Sequence, residues 1–115
     1  MPLVAIDVSN KISKKMEVSL MKSVYVIIKE VFSLSDQDIS IRLTVHETHR
    51  FSINIQEDVQ NSLDTIISID CFPGRSIETK KLLFNKIFTS LELLGIPRNT
   101  IKIVLREISK DDWGL

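Results

Sequence analysis

Residues 65–108 read TIISIDCFPGRSIETKKLLFNKIFTSLELLGIPRNTIKIVLREI, and two hydrophobic periodicities follow one another along them. TIISIDCF is aliphatic and β-branched, the composition of a strand, and PGRS closes it with a turn. From Ser76 to Leu94 the residues Leu83, Phe84, Ile87, Phe88, Leu91 and Leu94 recur at the three-four spacing of one helical face. Gly95 and Pro97 stop that helix, as a glycine followed by proline should. TIKIVLREI then supplies a second strand, with Ile101, Ile103 and Leu105 on one side. A strand, a crossover helix and a strand form a β-α-β unit, in which the strands run parallel and the connection is right-handed.

The first half repeats this order. PLVAIDV at residues 2–8 predicts a strand. From about Ser13 to Phe32, Leu20, Met21, Val24, Ile27, Ile28 and Val31 form a helical stripe. In ISIRLTVHE the residues Ile39, Ile41, Leu43 and Val45 alternate with Ser40, Arg42, Thr44 and His46, as in a strand with one buried face. Sliding the halves together sets residues 5–7 on 68–70, Ser13 on Ser76, and IRLTVHE on IKIVLRE. An internal duplication follows, with units of about 2–48 and 64–115 inside a single domain. The predicted fold is α+β: two β-α-β units pair into a four-stranded mixed sheet with both helices on one face. The other sheet face is left to pack on partners, so an oligomer is expected. Residues 48–62 join the halves, and a brief alternation at Phe51, Ile53 and Ile55 there allows a small hairpin arm.

Composition narrows the functions. Fifteen basic and 15 acidic residues cancel, which leaves no electrostatic footprint for nucleic acid or an anionic membrane surface. Cys71 is the single cysteine, so neither an internal disulfide nor a cysteine-rich metal site is expected, and a cytoplasmic setting fits. No apolar run approaches the roughly 20 residues of a membrane span. His46 and His49 lie three apart near a strand end, not at the spacing of a helical zinc site. Cys71 reads as a small core residue, and Lys14, Lys15, Lys80 and Lys81 as solvated charges at helix starts.

Four segments carry a resemblance: the MP start that runs into a strand, FPGRSIETKK, LGIP, and IKIVLREISKDDWG. Together with the duplicated pattern they make the chain similar, over nearly its whole length, to the tautomerase superfamily, which includes 4-oxalocrotonate tautomerase, malonate semialdehyde decarboxylase and macrophage migration inhibitory factor. The resemblance implies a homotrimer of two-unit chains acting on a small carboxylate, with no cofactor and no metal. It further implies that Met1 is removed and that the freed nitrogen of Pro2 is the reactive group. An ordinary α-amino group titrates near about 7.7–8.0. Apolar walls and cationic neighbours disfavour its protonated form, which would leave a competent base at neutral pH. With Met1 attached, the same nitrogen is an amide and takes up no proton.

Arg75 matches the arginine that grips the substrate carboxylate in similar enzymes. A planar guanidinium binds a carboxylate through two parallel hydrogen bonds, and the start of a helix already favours an anion. The alternative is a solvated arginine in a turn shaped by Gly74. The matching place in the first half is Ile12, which implies one site per chain. Lys102 stands where single-unit tautomerases carry a second arginine, and Arg42 takes the corresponding place in the first half. Either could hold substrate from a neighbouring subunit, or simply be a charge on the open strand face. Trp113 matches an aromatic wall residue, although it could equally pack the C-terminus.

The residues also bear on reaction type. Dehalogenating relatives carry a second arginine and a water-activating acid, where this chain has Phe72 and no matching carboxylate. The decarboxylase-like branch has an arginine at the place of Pro73, but its water-orienting aspartate aligns with Asp38. Enol-keto tautomerisation with Pro2 as general base needs the fewest groups. Decarboxylation or hydration, and a non-enzymatic binding trimer, are the alternatives.

Overall fold

The computed structural model describes residues 1–53 and 63–115. Serine hydroxyls start both long helices by accepting a backbone N–H that the helix itself leaves unpaired. Ser13 accepts from Met16 at 3.1 Å ahead of α1 (Lys14–Val31), and Ser76 accepts from Thr79 at 3.1 Å ahead of α2 (Ile77–Leu93). Gly95, at φ +93°, lets the chain leave α2 through a left-handed residue, as the Gly-x-Pro signal predicts.

The strands are β1 (Leu3–Ser9), β2 (Ser40–His46), β3 (Thr65–Cys71) and β4 (Ile101–Glu107), in sheet order β2-β1-β3-β4. β1 and β2 run parallel, as do β3 and β4, while β1 and β3 pair antiparallel in the centre. The strand alternation sorts the residues onto two faces. Val4, Ile6, Val8, Ile67 and Ile69 face the helices and meet Leu20, Val24 and Ile28 of α1 and Leu83, Ile87 and Leu91 of α2, all essentially fully buried. Each such side chain contributes about 1.5–3 kcal/mol of transfer free energy, so this one layer dominates the fold's stability. Ile12, the counterpart of Arg75, is core, and so is Cys71. The helices therefore lie on one face, as the periodicity predicts. The opposite face carries Leu3, Ala5, Asp7, Arg42, Ser68, Asp70, Lys102, Val104 and Arg106. Leu3 and Val104 remain 37% and 43% exposed there, apolar area that a sheet normally covers.

The register corrects one correspondence. Leu3 pairs with Ser40, while its repeat mate Ile66 pairs with Lys102. In the sheet, Arg42 thus corresponds to Val104, two residues from the match that the sequence suggests. An even slip keeps every side chain on its face, which is why the hydrophobic pattern cannot detect it. In the connection, Thr48–Arg50 form a single 3-10 turn. Ile55 of the suggested hairpin arm lies outside the described residues.

Past α1, Asp36 accepts hydrogen bonds from Lys29 and from the Tyr25 hydroxyl. The Lys29 hydrogen bond first, and Tyr25 second, hold its carboxyl below the ordinary carboxylate range. A carboxyl depressed in the folded state contributes stability above its unfolded pKa and loses it as pH falls through the folded one. Asp36→Asn is therefore expected to flatten the acid side of the stability profile. Urea midpoints measured from pH 6 down to pH 2 check this, and parallel slopes for variant and parent would contradict it.

Candidate active site

The antiparallel pairing of the central strands decides what lies near residue 2. Leu3 pairs with Asp70, so one step outward brings Pro2 to the level of Cys71, at the end of β3. Proline has no N–H to give to the ladder and is tolerated at this first strand position. Its carbonyl accepts from Ser40 N–H at 3.1 Å, and the residue is buried. The chain beyond Cys71 turns through Phe72–Ser76 and presents Arg75 immediately before α2. Burial pushes the Cys71 thiol up, with the Arg75 guanidinium and the chain's amino terminus both pulling against that shift. Both cationic groups therefore act at the same strand end.

Arg75 is held on two sides. Its guanidinium lies 3.7 Å over the ring of Phe32, the buried residue that caps α1, and its Nη1 donates to the Phe72 carbonyl at 3.3 Å. The arginine of the second half thus rests on the first half's helix end. The ring of Trp113 meets Phe72 edge-on at 5.5 Å, and its indole N–H donates to the Ile108 carbonyl at 3.1 Å. Lys110 lies 5.3 Å over the other aromatic partner, Phe72. Trp113 accordingly packs the C-terminal turn against Phe72, the first residue of the turn that carries Arg75.

Asp38 is close by. Ser35 donates to it from its hydroxyl at 2.8 Å and from its backbone N–H at 3.3 Å. Those two bonds hold its carboxyl below the ordinary range, and the amino terminus adds a small pull in the same direction.

One chain does not bring the remaining candidates to this end. Arg42 pairs in register with Ala5, on the sheet face opposite the helices. Lys102 lies five residues back along β4 from Glu107, the partner of Cys71, hence roughly 16 Å from the Pro2 level, also on that open face. His46 and His49 are not a pair. His46 Nε2 meets Asp7 at 2.7 Å and its ring stacks on Phe51, while His49 accepts from Arg50.

Lys80 differs from its sequence reading as a solvated charge. Its ammonium pairs with Glu107 at 2.7 Å, and the other Glu107 oxygen accepts from Gly74 N–H at 3.0 Å. Glu107 and Phe32 are the two site neighbours that the sequence reading missed. The available signal was Gly74 in PGRS, which marks a turn; in the structure it holds φ +123°.

A search of curated protein sequences finds no match. Among solved structures the chain is similar to FG41 malonate semialdehyde decarboxylase inhibited by 3-bromopropiolate, at 24% identity and TM-score 0.84, covering 98% of this chain and 88% of that one. It is also similar to the Q0 fused 4-OT wild-type symmetric trimer, at 18% identity and TM-score 0.82, covering 98% and 90%. A macrophage migration inhibitory factor-like protein from Entamoeba histolytica is 16% identical with a TM-score of 0.75, covering 99% and 94%. These likenesses show the fold. Residues 42–115, well over half of the chain, match the family described as "Tautomerase enzyme", and the chain therefore belongs to the tautomerase superfamily.

Proposed function

We propose that the protein is a cofactor-independent tautomerase that moves a proton between the enol and keto forms of a small 2-oxo carboxylic acid. The observation that carries this reading is the register of β1 against β3, which sets Pro2 level with Cys71, four residues before Arg75. After removal of Met1, the Pro2 nitrogen takes the proton from the enol oxygen and delivers one to C3, the carbon beside the carbonyl carbon, as the C2–C3 double bond becomes the carbonyl; the reverse direction runs the same steps backwards. The ring restricts the lone pair, so little orientation freedom is lost in the transition state. Burial and the nearby Arg75 charge disfavour protonation of that nitrogen. Arg75 holds the substrate carboxylate by a two-pronged hydrogen bond, and Trp113 excludes water from the Phe72 side.

Lys102 and Arg42 serve this site from a neighbouring copy, where they stabilise the enolate charge. The chain assembles as a homotrimer through the open sheet face, a reading supported by the fused 4-OT relative, which is a symmetric trimer. Sedimentation is expected to give close to three times the 13.2 kDa chain mass.

A second reading has an observation of its own. Asp38 stands two residues before Ser40, whose N–H binds the Pro2 carbonyl, and Ser35 holds its carboxylate, which there could orient water for hydration or decarboxylation. A related fold is that of malonate semialdehyde decarboxylase, described with decarboxylase and hydratase activities. Turnover of phenylenolpyruvate, 2-hydroxymuconate and malonate semialdehyde separates the two, using protein whose intact mass shows Met1 removed. Acceleration of the enols supports the tautomerase, acceleration of carbon dioxide release alone supports the second reading, and neither result leaves a binding trimer.

A further inference from the structure

The turn that carries Arg75 is braced from outside by a side chain that would touch no reacting group. Glu107, the last residue of β4, accepts from Gly74 N–H at 3.0 Å through one oxygen and from Lys80 Nζ at 2.7 Å through the other. Gly74 holds φ +123°, and because a glycine visits positive and negative φ about equally, the Glu107 hydrogen bond favours this one conformation of the turn. Lys80 lies one turn into α2, so a single carboxylate ties the turn to the helix it opens and to the strand beside it. The next residue, Arg75, has its guanidinium face fixed by Phe32 and one nitrogen fixed by the Phe72 carbonyl.

We propose that Glu107 is a positioning residue: by clamping Gly74 and Lys80 it sets where the Arg75 fork stands relative to Pro2, and so sets the affinity for carboxylate substrates. The inference rests on the proposed role of Arg75 as the carboxylate grip. A two-pronged hydrogen bond tolerates little misalignment, and a displacement of about 1 Å can cost on the order of 10²-fold. The Lys80 hydrogen bond and the Gly74 N–H hold the Glu107 carboxyl below the ordinary range, so the clamp is ionised at neutral pH. As a partly exposed ion pair it adds little to global stability, so its effect belongs in substrate affinity and not in the melting temperature.

The test uses Met1-processed protein with phenylenolpyruvate turnover and calorimetric binding of phenylpyruvate, which needs no turnover. Glu107→Ala is expected to raise KM and Kd roughly tenfold, with kcat changed less than about twofold and the melting temperature nearly kept. Lys80→Met should give a smaller rise, and Lys80→Arg should restore the parent values. If Glu107→Ala fails to fold, the Lys80 pair carries the test alone. Unchanged KM and Kd in these variants, where Arg75→Ala raises both, would overturn the clamp and spare Arg75. Unchanged values in Arg75→Ala itself would overturn the carboxylate grip, and the clamp with it. A loss confined to kcat would also overturn it, because positioning the carboxylate anchor acts on binding.

Discussion

Pro2→Ala is expected to lower kcat/KM for enol isomerisation by about 10²- to 10⁴-fold, the usual worth of a positioned general base. The fold should survive, because β1 pairing begins at Leu3 and the Pro2 carbonyl contact with Ser40 needs only backbone. Alanine leaves a primary amine on a freely rotating terminus. The ring that fixes the lone pair is lost while the net charge is kept. Protein that retains Met1 should be inactive for a simpler reason, since its residue-2 nitrogen is an amide. Initial rates on samples sorted by intact mass check both statements, and parent-like rates in either sample would remove Pro2 as the base.

The second large effect is expected at Arg75. Hydrogen bonds to charged groups are worth about 1.5–3 kcal/mol, so Arg75→Ala should raise KM for a carboxylate substrate by about 10- to 100-fold. Arg75→Lys should recover only part of this, because an ammonium keeps the charge but cannot form the planar fork. The methyl ester of the same enol should respond little to either change. Equal losses for acid and ester would show that Arg75 shapes the turn through Phe32 and Phe72 without gripping the carboxylate.

The secondary structure and the sheet were legible because their signals are periodic. The stripe from Leu83 to Leu91 and the alternation from Ile101 to Leu105 bury Leu83, Ile87, Leu91 and Ile101 and pack Phe84, Phe88, Ile103 and Leu105, half-buried, against them. The serines of the two halves, Ser13 and Ser76, cap the helices as their matched positions predict. Resemblance singled out Pro2, Arg75 and Trp113, and the strand pairing brings all three to one end of the molecule.

What the sequence did not reveal depends on contacts between distant segments. Glu107 is 33 residues from Gly74 and 27 from Lys80, and no local pattern marks a carboxylate that clamps a turn across that interval. Phe32 continues the α1 stripe as an ordinary apolar residue. Its use as a platform for Arg75 depends on how α1 and α2 pack. The match of Arg42 to Lys102 failed by two residues because an even register slip leaves the faces unchanged. Both cations lie on the open face, and within one chain neither stands at the level of Pro2.

The central claim is an uncharged Pro2 nitrogen beside the Arg75 guanidinium. It is tested most directly by titrating that nitrogen by NMR in Met1-processed protein labelled with ¹⁵N-proline. The expected titration lies below the roughly 7.7–8.0 of an ordinary α-amino group, and it should move upward in Arg75→Ala as the repelling charge is removed. A nitrogen that titrates at or above the ordinary value, and does not respond to loss of Arg75, would contradict the assignment of Pro2 as the base.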